Sequence, residues 1–223
     1  MNKLQYESGQ SGYLEMIVGS MFSGKTSELQ RRLKLSQIAG YQLKAFKYIF
    51  DNRYGQSMNT HDSISFEAEG FKNINEILEK SVGYKIVGVD EIQFALLLDN
   101  YGSEEEYRIA CEKALSEIKE RVSGGTHFIF AGLPVNFRGE PFNYFMQLLM
   151  SNADILNTFT AICTYRESDH QCNQSATRTQ RIINGQPANY YDPLILIDAQ
   201  DHYEARCPKH HFVPKATTSQ LFN

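Results

Sequence analysis

The sequence predicts an α/β fold: a mostly parallel sheet with helices on both faces, followed by a smaller β-rich domain. Three observations predict it. Apolar, β-prone runs alternate with helical patterns over most of the chain. A glycine-rich turn stands between the first strand and the first helix. Near Ala153 the helical pattern gives way to paired cysteines and turn signals.

The elements follow in order. Residues 1–12 read as a polar, flexible lead. Residues 13–18 are apolar and β-prone, and residues 26–39 carry Leu29, Leu33 and Ile38 at helical spacing before Gly40. Residues 43–50 read as the next strand, 55–62 as a polar loop and 74–80 as a short helix. The run KIVGV (85–89) is a buried strand with Asp90 at its end; a longer helix over 104–121 and a buried strand HFIFA (127–131) follow. This first domain is expected to span 13–158. A second, over 159–214, holds the cysteines, an Asn184–Gly185 turn and a strand-like run 194–197, and residues 215–223 read as a frayed tail.

Composition narrows the function classes. A chain of 223 residues, 42% hydrophobic, has room for one full α/β domain and a small appendix. A net charge of −4 without a local basic stripe argues against a nucleic-acid partner. No apolar run approaches a membrane span and the first residues lack an apolar signal core, so a cytoplasmic protein with no membrane partner is expected. In a reducing compartment the cysteines Cys163, Cys172 and Cys207 suggest metal more than disulfide, whereas Cys111, on the 104–121 helix, reads as a packed core thiol.

Residues 19–26, GSMFSGKT, match G-x-x-x-x-G-K-[ST] at every fixed position and stand between strand and helix as that motif requires. Gly19, Ser20, Met21, Phe22, Ser23 and Gly24 form the loop whose main-chain N–H groups can surround phosphate oxygens, aided by the helix dipole. Lys25 can reach the β- and γ-phosphates, and Thr26 can hold Mg²⁺. Asp90 stands where an acidic residue at a strand end is presented to the Mg²⁺ shell, which leaves Glu91 free to act as a base. These residues point to ATP with Mg²⁺.

At this point the chain resembles the type II thymidine kinases. The resemblance runs from about Tyr13 to Pro214 and rests on GSMFSGKTSEL, FDNRY (50–54), VGVDEIQF (87–94), AGLPVNFRGEPF (131–142), TAIC (160–163), SATRTQR (175–181) and HYEARCPKHHFVP (202–214). It implies a RecA-like ATP domain joined to a small zinc domain whose lasso closes over thymidine. By position, Glu91 is the general base on the 5′-hydroxyl of thymidine (deoxyuridine being the near alternative), and Arg53 and Arg138 stand ready to stabilise the transferring phosphoryl group. Met21, Phe94, Leu133, Phe137 and Phe142 match the apolar wall around the base. Thr179 and Tyr203 match residues that touch thymine and sugar. The lasso's main-chain contacts fall near Leu194, Leu196 and Asp198. A homotetramer inhibited by dTTP is also implied.

Cys207-Pro-Lys-His210 has C-x-x-H spacing, and Cys163 with Cys172 would complete a closed, structural Zn²⁺ site. The family usually carries C-x-x-C at the first pair; here TYRESDHQ separates the two cysteines. His170 therefore competes with Cys172, and His211 with His210. The chain also carries Pro134 where the family normally has aspartate, Asp198 where glycine is common, and a longer stretch over 96–106. The competing reading is a RecA-like P-loop ATPase acting on nucleic acid or a protein partner, which would need an exposed basic groove. A non-catalytic nucleotide binder is disfavoured by the presence of Lys25, Thr26, Asp90 and Glu91 together.

Overall fold

The computed structural model describes residues 11–49, 57–58, 66–194 and 202–215. The elements in chain order are β1 (Leu14–Gly19), α1 (Lys25–Ile38), β2 (Leu43–Tyr48), β3 (Ser57–Met58), β4 (Phe66–Glu67), β5 (Glu69–Phe71), α2 (Ile74–Lys80), β6 (Ile86–Asp90), α3 (Glu104–Ser123), β7 (His127–Gly132), α4 (Tyr144–Asn152) and β8 (Ile155–Phe159). Short strands follow: β9 (Ala161–Ile162), β10 (Arg166–Glu167), β11 (His170–Gln171), β12 (Ser175–Ala176), β13 (Arg178–Ile183), β14 (Gln186–Pro187) and β15 (His202–Arg206).

The fold is the expected α/β one. Its central sheet has six strands in the order β5-β2-β6-β7-β1-β8. The pairs β2–β5, β2–β6 and β6–β7 all run parallel. β1, β6 and β7 are buried at every residue, which is why they read as near-continuous apolar runs rather than alternating ones.

The chain divides into two compact units, and neither is a single stretch. The first is Met1–Ile17, Thr26–Gly132 and Tyr144–Asn157; the second is Val18–Lys25, Leu133–Asn143 and Thr158–Asn223. The phosphate loop and the 133–143 segment group with the C-terminal residues rather than with the strands that flank them.

In the first unit, helix α3 buries Tyr107, Cys111, Ala114, Leu115 and Ile118, a single stripe at helical spacing. Its start is fixed by Ser103, whose Oγ accepts from the Glu106 amide at 3.2 Å, while the Glu106 carboxylate accepts from the Gly102 amide at 3.1 Å. Asn73 caps α2 in the same way, accepting from the Glu76 amide at 3.1 Å. On α1, Leu29 and Leu33 are fully buried but Ile38 is 72% exposed. At ~100° per residue Ile38 lies half a turn round the helix from Leu29, so its place in the expected apolar face is corrected by geometry. The carboxylate of Glu15, buried on β1, pairs with Arg32 of α1 and accepts from Asn157 Nδ2 at 2.9 Å. A buried carboxylate with two donors is satisfied, and it ties α1 and β8 to the same strand.

In the second unit, β13 pairs antiparallel with β14 and β15 to make a three-stranded sheet. Asn184 and Gly185 take φ of 50° and 77° between β13 and β14, the left-handed pair of a two-residue hairpin turn. A small core of Ala161, Cys163, Ala176, Ala205 and Cys207 carries Tyr165 and Cys172 against it. Among the described residues, no helix is long and apolar enough to cross a membrane.

Candidate functional site

In the first unit the acidic pair closes β6. Asp90 is 4% exposed, and both of its oxygens are engaged. Thr26 Oγ1 donates to Oδ2 at 2.9 Å and the Glu91 amide donates to Oδ1 at 3.1 Å. Thr26 and Asp90, far apart in sequence, are thus adjacent. Glu91 takes a left-handed backbone conformation, φ 57° and ψ 42°, before the 3₁₀ turn Ile92–Phe94. That conformation is uncommon for a non-glycine residue, and it turns the chain sharply after Asp90. The Gln93 Nε2 donates to Glu91 Oε2. Phe94 stacks on Tyr48, ring centroids 4.8 Å apart and planes 24° apart, and burial raises the Tyr48 pKa.

In the second unit the phosphate loop is held from several sides. Ser20 Oγ donates to the Ala176 carbonyl at 2.9 Å, the Met21 amide donates to Thr179 Oγ1 at 3.0 Å, and Lys25 Nζ donates to the Ser20 carbonyl at 2.8 Å. Gly19 is required by close approach: a Cβ there would lie 2.3 Å from the Phe159 carbonyl oxygen and 2.6 Å from Ser23 Oγ. The Ser23 hydroxyl is buried and has no hydrogen-bond partner among the described residues. An orphaned buried donor inside a glycine-lined loop at the start of α1 fits the phosphates of ATP.

The 133–143 segment is a closed loop. Asn136 Oδ1 accepts from the Arg138 and Glu140 amides at 2.8 and 3.3 Å, and Val135 and Pro141 form an antiparallel bridge. Pro134, the departure from the family pattern, uses its carbonyl to accept from the Phe142 amide at 3.1 Å. Phe137 and Phe142 are 5% and 7% exposed. Leu133 is half-buried on the same segment, and so is Tyr203, which lies opposite Arg181 in the β13–β15 pair.

Arg138 Nη2 donates to the Asp192 carbonyl at 2.9 Å, and the fully buried Arg181 donates to the Pro193 carbonyl at 2.6 Å. Both guanidinium carbons lie 5.4 Å from the Phe137 ring centre. Tyr190 donates to Glu140 at 2.6 Å, and Arg138 lies 5.0 Å from its ring. These contacts anchor the residues just before Leu194. Of the remaining site residues expected from sequence, Arg53, Leu196 and Asp198 lie outside the described residues. Sequence reasoning assigned no role to Arg181, Glu140, Tyr190 or Gln93. Only Gln93 left a signal, an amide two positions after the acidic pair.

The cysteine cluster is explicit. The ligand atoms of Cys163, Cys172, Cys207 and His210 all lie within 4.8 Å of one another. The separations are 3.9 Å for Cys172 Sγ to Cys207 Sγ, 3.8 Å for Cys163 Sγ to His210 Nδ1 and 3.4 Å for Cys207 Sγ to His210 Nδ1. Tetrahedral Zn²⁺ with ordinary bond lengths requires about 3.8 Å between sulfurs and about 3.6 Å between sulfur and nitrogen. The set therefore fits a closed zinc site, and 3.9 Å is far beyond a disulfide bond. Burial opposes ionisation of Cys207, but the His210 amide, the neighbouring thiols and the Lys209 amide pull its pKa below the ordinary thiol value.

Of each competing pair of residues, only Cys172 and His210 lie in the cluster. His170 is exposed on β11, outside the cluster. His211 Nε2 donates to the Phe137 carbonyl at 2.9 Å, and burial holds its pKa down. The residues between the cysteines form a hairpin, Arg166 opposite Gln171 and Glu167 opposite His170. The Cys172 amide donates to the Tyr165 carbonyl at 2.9 Å, so Cys172 returns to the hairpin base beside Tyr165. The Tyr165 ring stacks on His210, centroids 4.1 Å apart and planes 17° apart.

Comparison with known proteins adds one strong match and several distant ones. The family model described as "Thymidine kinase" matches residues 12–211. Among solved structures, the replication initiator DnaA bound to AMPPCP and single-stranded DNA is similar at TM-score 0.37 and 16% identity, over 66% of this chain and 40% of that one. AMPPCP-bound DnaA from Aquifex aeolicus is similar at TM-score 0.37 and 17% identity, over 67% of this chain and 41% of that one. The chain spans about two fifths of the length of these solved chains. Matches this distant assign nothing.

Proposed function

We propose that this chain, which belongs to the thymidine kinase family by its match over residues 12–211, transfers the γ-phosphate of ATP to the 5′-hydroxyl of thymidine, with deoxyuridine as the nearest alternative substrate. Nucleoside phosphorylation follows from the family. The choice of thymidine is the finer step, and it rests on the resemblance of Phe94, Leu133, Phe137, Phe142, Thr179 and Tyr203 to the family's base-facing residues. The observation that carries the chemistry is the Thr26–Asp90–Glu91–Gln93 set of contacts, which assembles a metal-holding pair and a second carboxylate at one strand end.

In this reading Glu91 takes the proton of the 5′-hydroxyl as the new bond to phosphorus forms. Lys25 offsets charge on the β- and γ-phosphates, Ser23 and the loop amides hold the phosphate oxygens, and Thr26 with Asp90 holds Mg²⁺. The Mg²⁺ ion neutralises developing charge when bound. Arg138 and Arg53 were expected at the phosphoryl group. Both remain proposed there, and Arg138 also steadies the chain before Leu194 through its bond to the Asp192 carbonyl. Leu194, Leu196 and Asp198 remain the proposed main-chain readers of the base.

Zn²⁺ is the proposed occupant of Cys163, Cys172, Cys207 and His210, supported by their spacing. A homotetramer, feedback inhibition by dTTP and a cytoplasmic location complete the proposal, all by family resemblance. The deciding experiment is a radiolabel transfer assay on thymidine, deoxyuridine, deoxycytidine and the purine deoxynucleosides. Transfer to thymidine is expected. Transfer to none, with ATP hydrolysis stimulated by DNA, would replace this reading with the ATPase one.

A further inference from the structure

We propose that Gln93 is a positioning residue for the Glu91 carboxylate, and that Gly132 supplies the space in which Gln93 does this. The proposal rests on the reading of Glu91 as the proton acceptor.

Gln93 is fully buried, although a primary amide is costly to bury without partners. Its Nε2 donates to Glu91 Oε2. The other end of the amide lies against the end of β7, where a Cβ on Gly132 would stand 2.6 Å from Gln93 Oε1 and 3.0 Å from Ile92 Cγ2. The amide is therefore confined between the carboxylate and the Gly132 backbone. Glu91 is itself held by a left-handed backbone and by its amide N–H, which donates to the Asp90 carboxylate.

The chemistry explains why an amide suits this place. A base must keep one oxygen aimed at the hydroxyl it deprotonates, and a free glutamate spreads over many rotamers. An amide donor fixes the other oxygen without adding charge and without competing for the proton. A lysine or arginine there would neutralise the base, and a second carboxylate would repel it.

The test is a double-mutant cycle. Gln93→Met keeps the volume and removes the donor. It should lower kcat roughly tenfold to hundredfold, the scale of one lost hydrogen bond to a charged group, while KM for thymidine and for ATP stays within about twofold. Gly132→Ala, which leaves every polar group in place, should lower kcat in the same direction by displacing the amide. Glu91→Gln combined with Gln93→Met should be no slower than Glu91→Gln alone, because the two act as a unit. If the methionine variant does not fold, Gln93→Asn, which keeps an amide but shortens its reach, takes its place in the cycle. A Gln93 variant with normal kcat, or effects that multiply in the double variant, would overturn the proposal. A Glu91→Gln enzyme with normal kcat would instead overturn the base assignment itself.

Discussion

The acidic strand end and the cysteine cluster solve the same problem, holding a few side-chain atoms at fixed separations, by opposite means. At the strand end sequence spacing is rigid. Asp90, Glu91 and Gln93 lie within four residues, and a chain of hydrogen bonds from Thr26 through Asp90 to Glu91 and Gln93 leaves no slack. In the cluster spacing is loose. Eight residues lie between Cys163 and Cys172, yet all four ligand atoms meet within 4.8 Å. What must be kept is the position of the atoms. A β-hairpin can absorb extra chain because its two ends close on each other, whereas one tight turn after a buried strand cannot.

The largest effect should come from the rigid side. Glu91→Gln keeps the shape and removes the base, and kcat should fall roughly 10²- to 10⁴-fold with thymidine binding largely kept, as read by steady-state kinetics and calorimetry. A kcat near normal would break the comparison at its first term. Next, Cys207→Ser should abolish bound Zn²⁺, expected at one ion per chain by elemental analysis, and should cost about 4 kcal/mol or more of stability, the range of lost metal sites. Well-folded, active protein without zinc would show that the cluster holds itself by packing alone.

A smaller effect concerns acid. Burial, followed by the charge of Lys85, lowers the His127 pKa from 6.5 to about 4. Its charged form is thus disfavoured in the folded state, so the stability it contributes is present above pH 6.5 and is lost as pH falls toward 4. The loss is at most about 3 kcal/mol. In chelator-treated protein, where metal release no longer contributes, His127→Phe should flatten denaturant midpoints between those two pH values, and an unchanged slope would exclude the histidine as its source. The smallest effect should follow deletion of Arg166–Gln171, which joins Tyr165 directly to Cys172 and restores C-x-x-C spacing. Zinc content should be unchanged and kcat within about twofold of the parent, as expected for a change away from buried groups. Loss of zinc would mean that the hairpin helps to build the site.

What could be read from the sequence divides along similar lines. The buried strands and the phosphate loop were legible because each is a local pattern, and the C-x-x-H spacing of Cys207 and His210 marked one half of the cluster. Helix α4 and the strands β5 and β8 went unassigned. β5 contains Glu69 and Gly70, residue types depleted in strands, and β8 is only half-buried, alternating intermediate and exposed positions. The arginine anchors were illegible for another reason. Arg138 and Arg181 bind main-chain carbonyls, and a carbonyl is present at every residue, so no partner residue type betrays the contact. Leu29 and Ile38 show the limit of spacing itself: both are apolar on one helix, but a half-turn separates them.

The hairpin between Cys163 and Cys172 makes the cluster a natural docking port for new sequence. Its tip, Ser168 and Asp169, faces solvent, with Ser168 at a φ of 54°, while its base is closed by the Cys172–Tyr165 bond. A peptide tag or a fluorescent reporter spliced in at that tip would inherit two strands already aligned to carry it. The metal would report on the graft: an insert that respects the base leaves the zinc in place, and one that pries the base apart announces itself by releasing an ion that a colorimetric chelator can count.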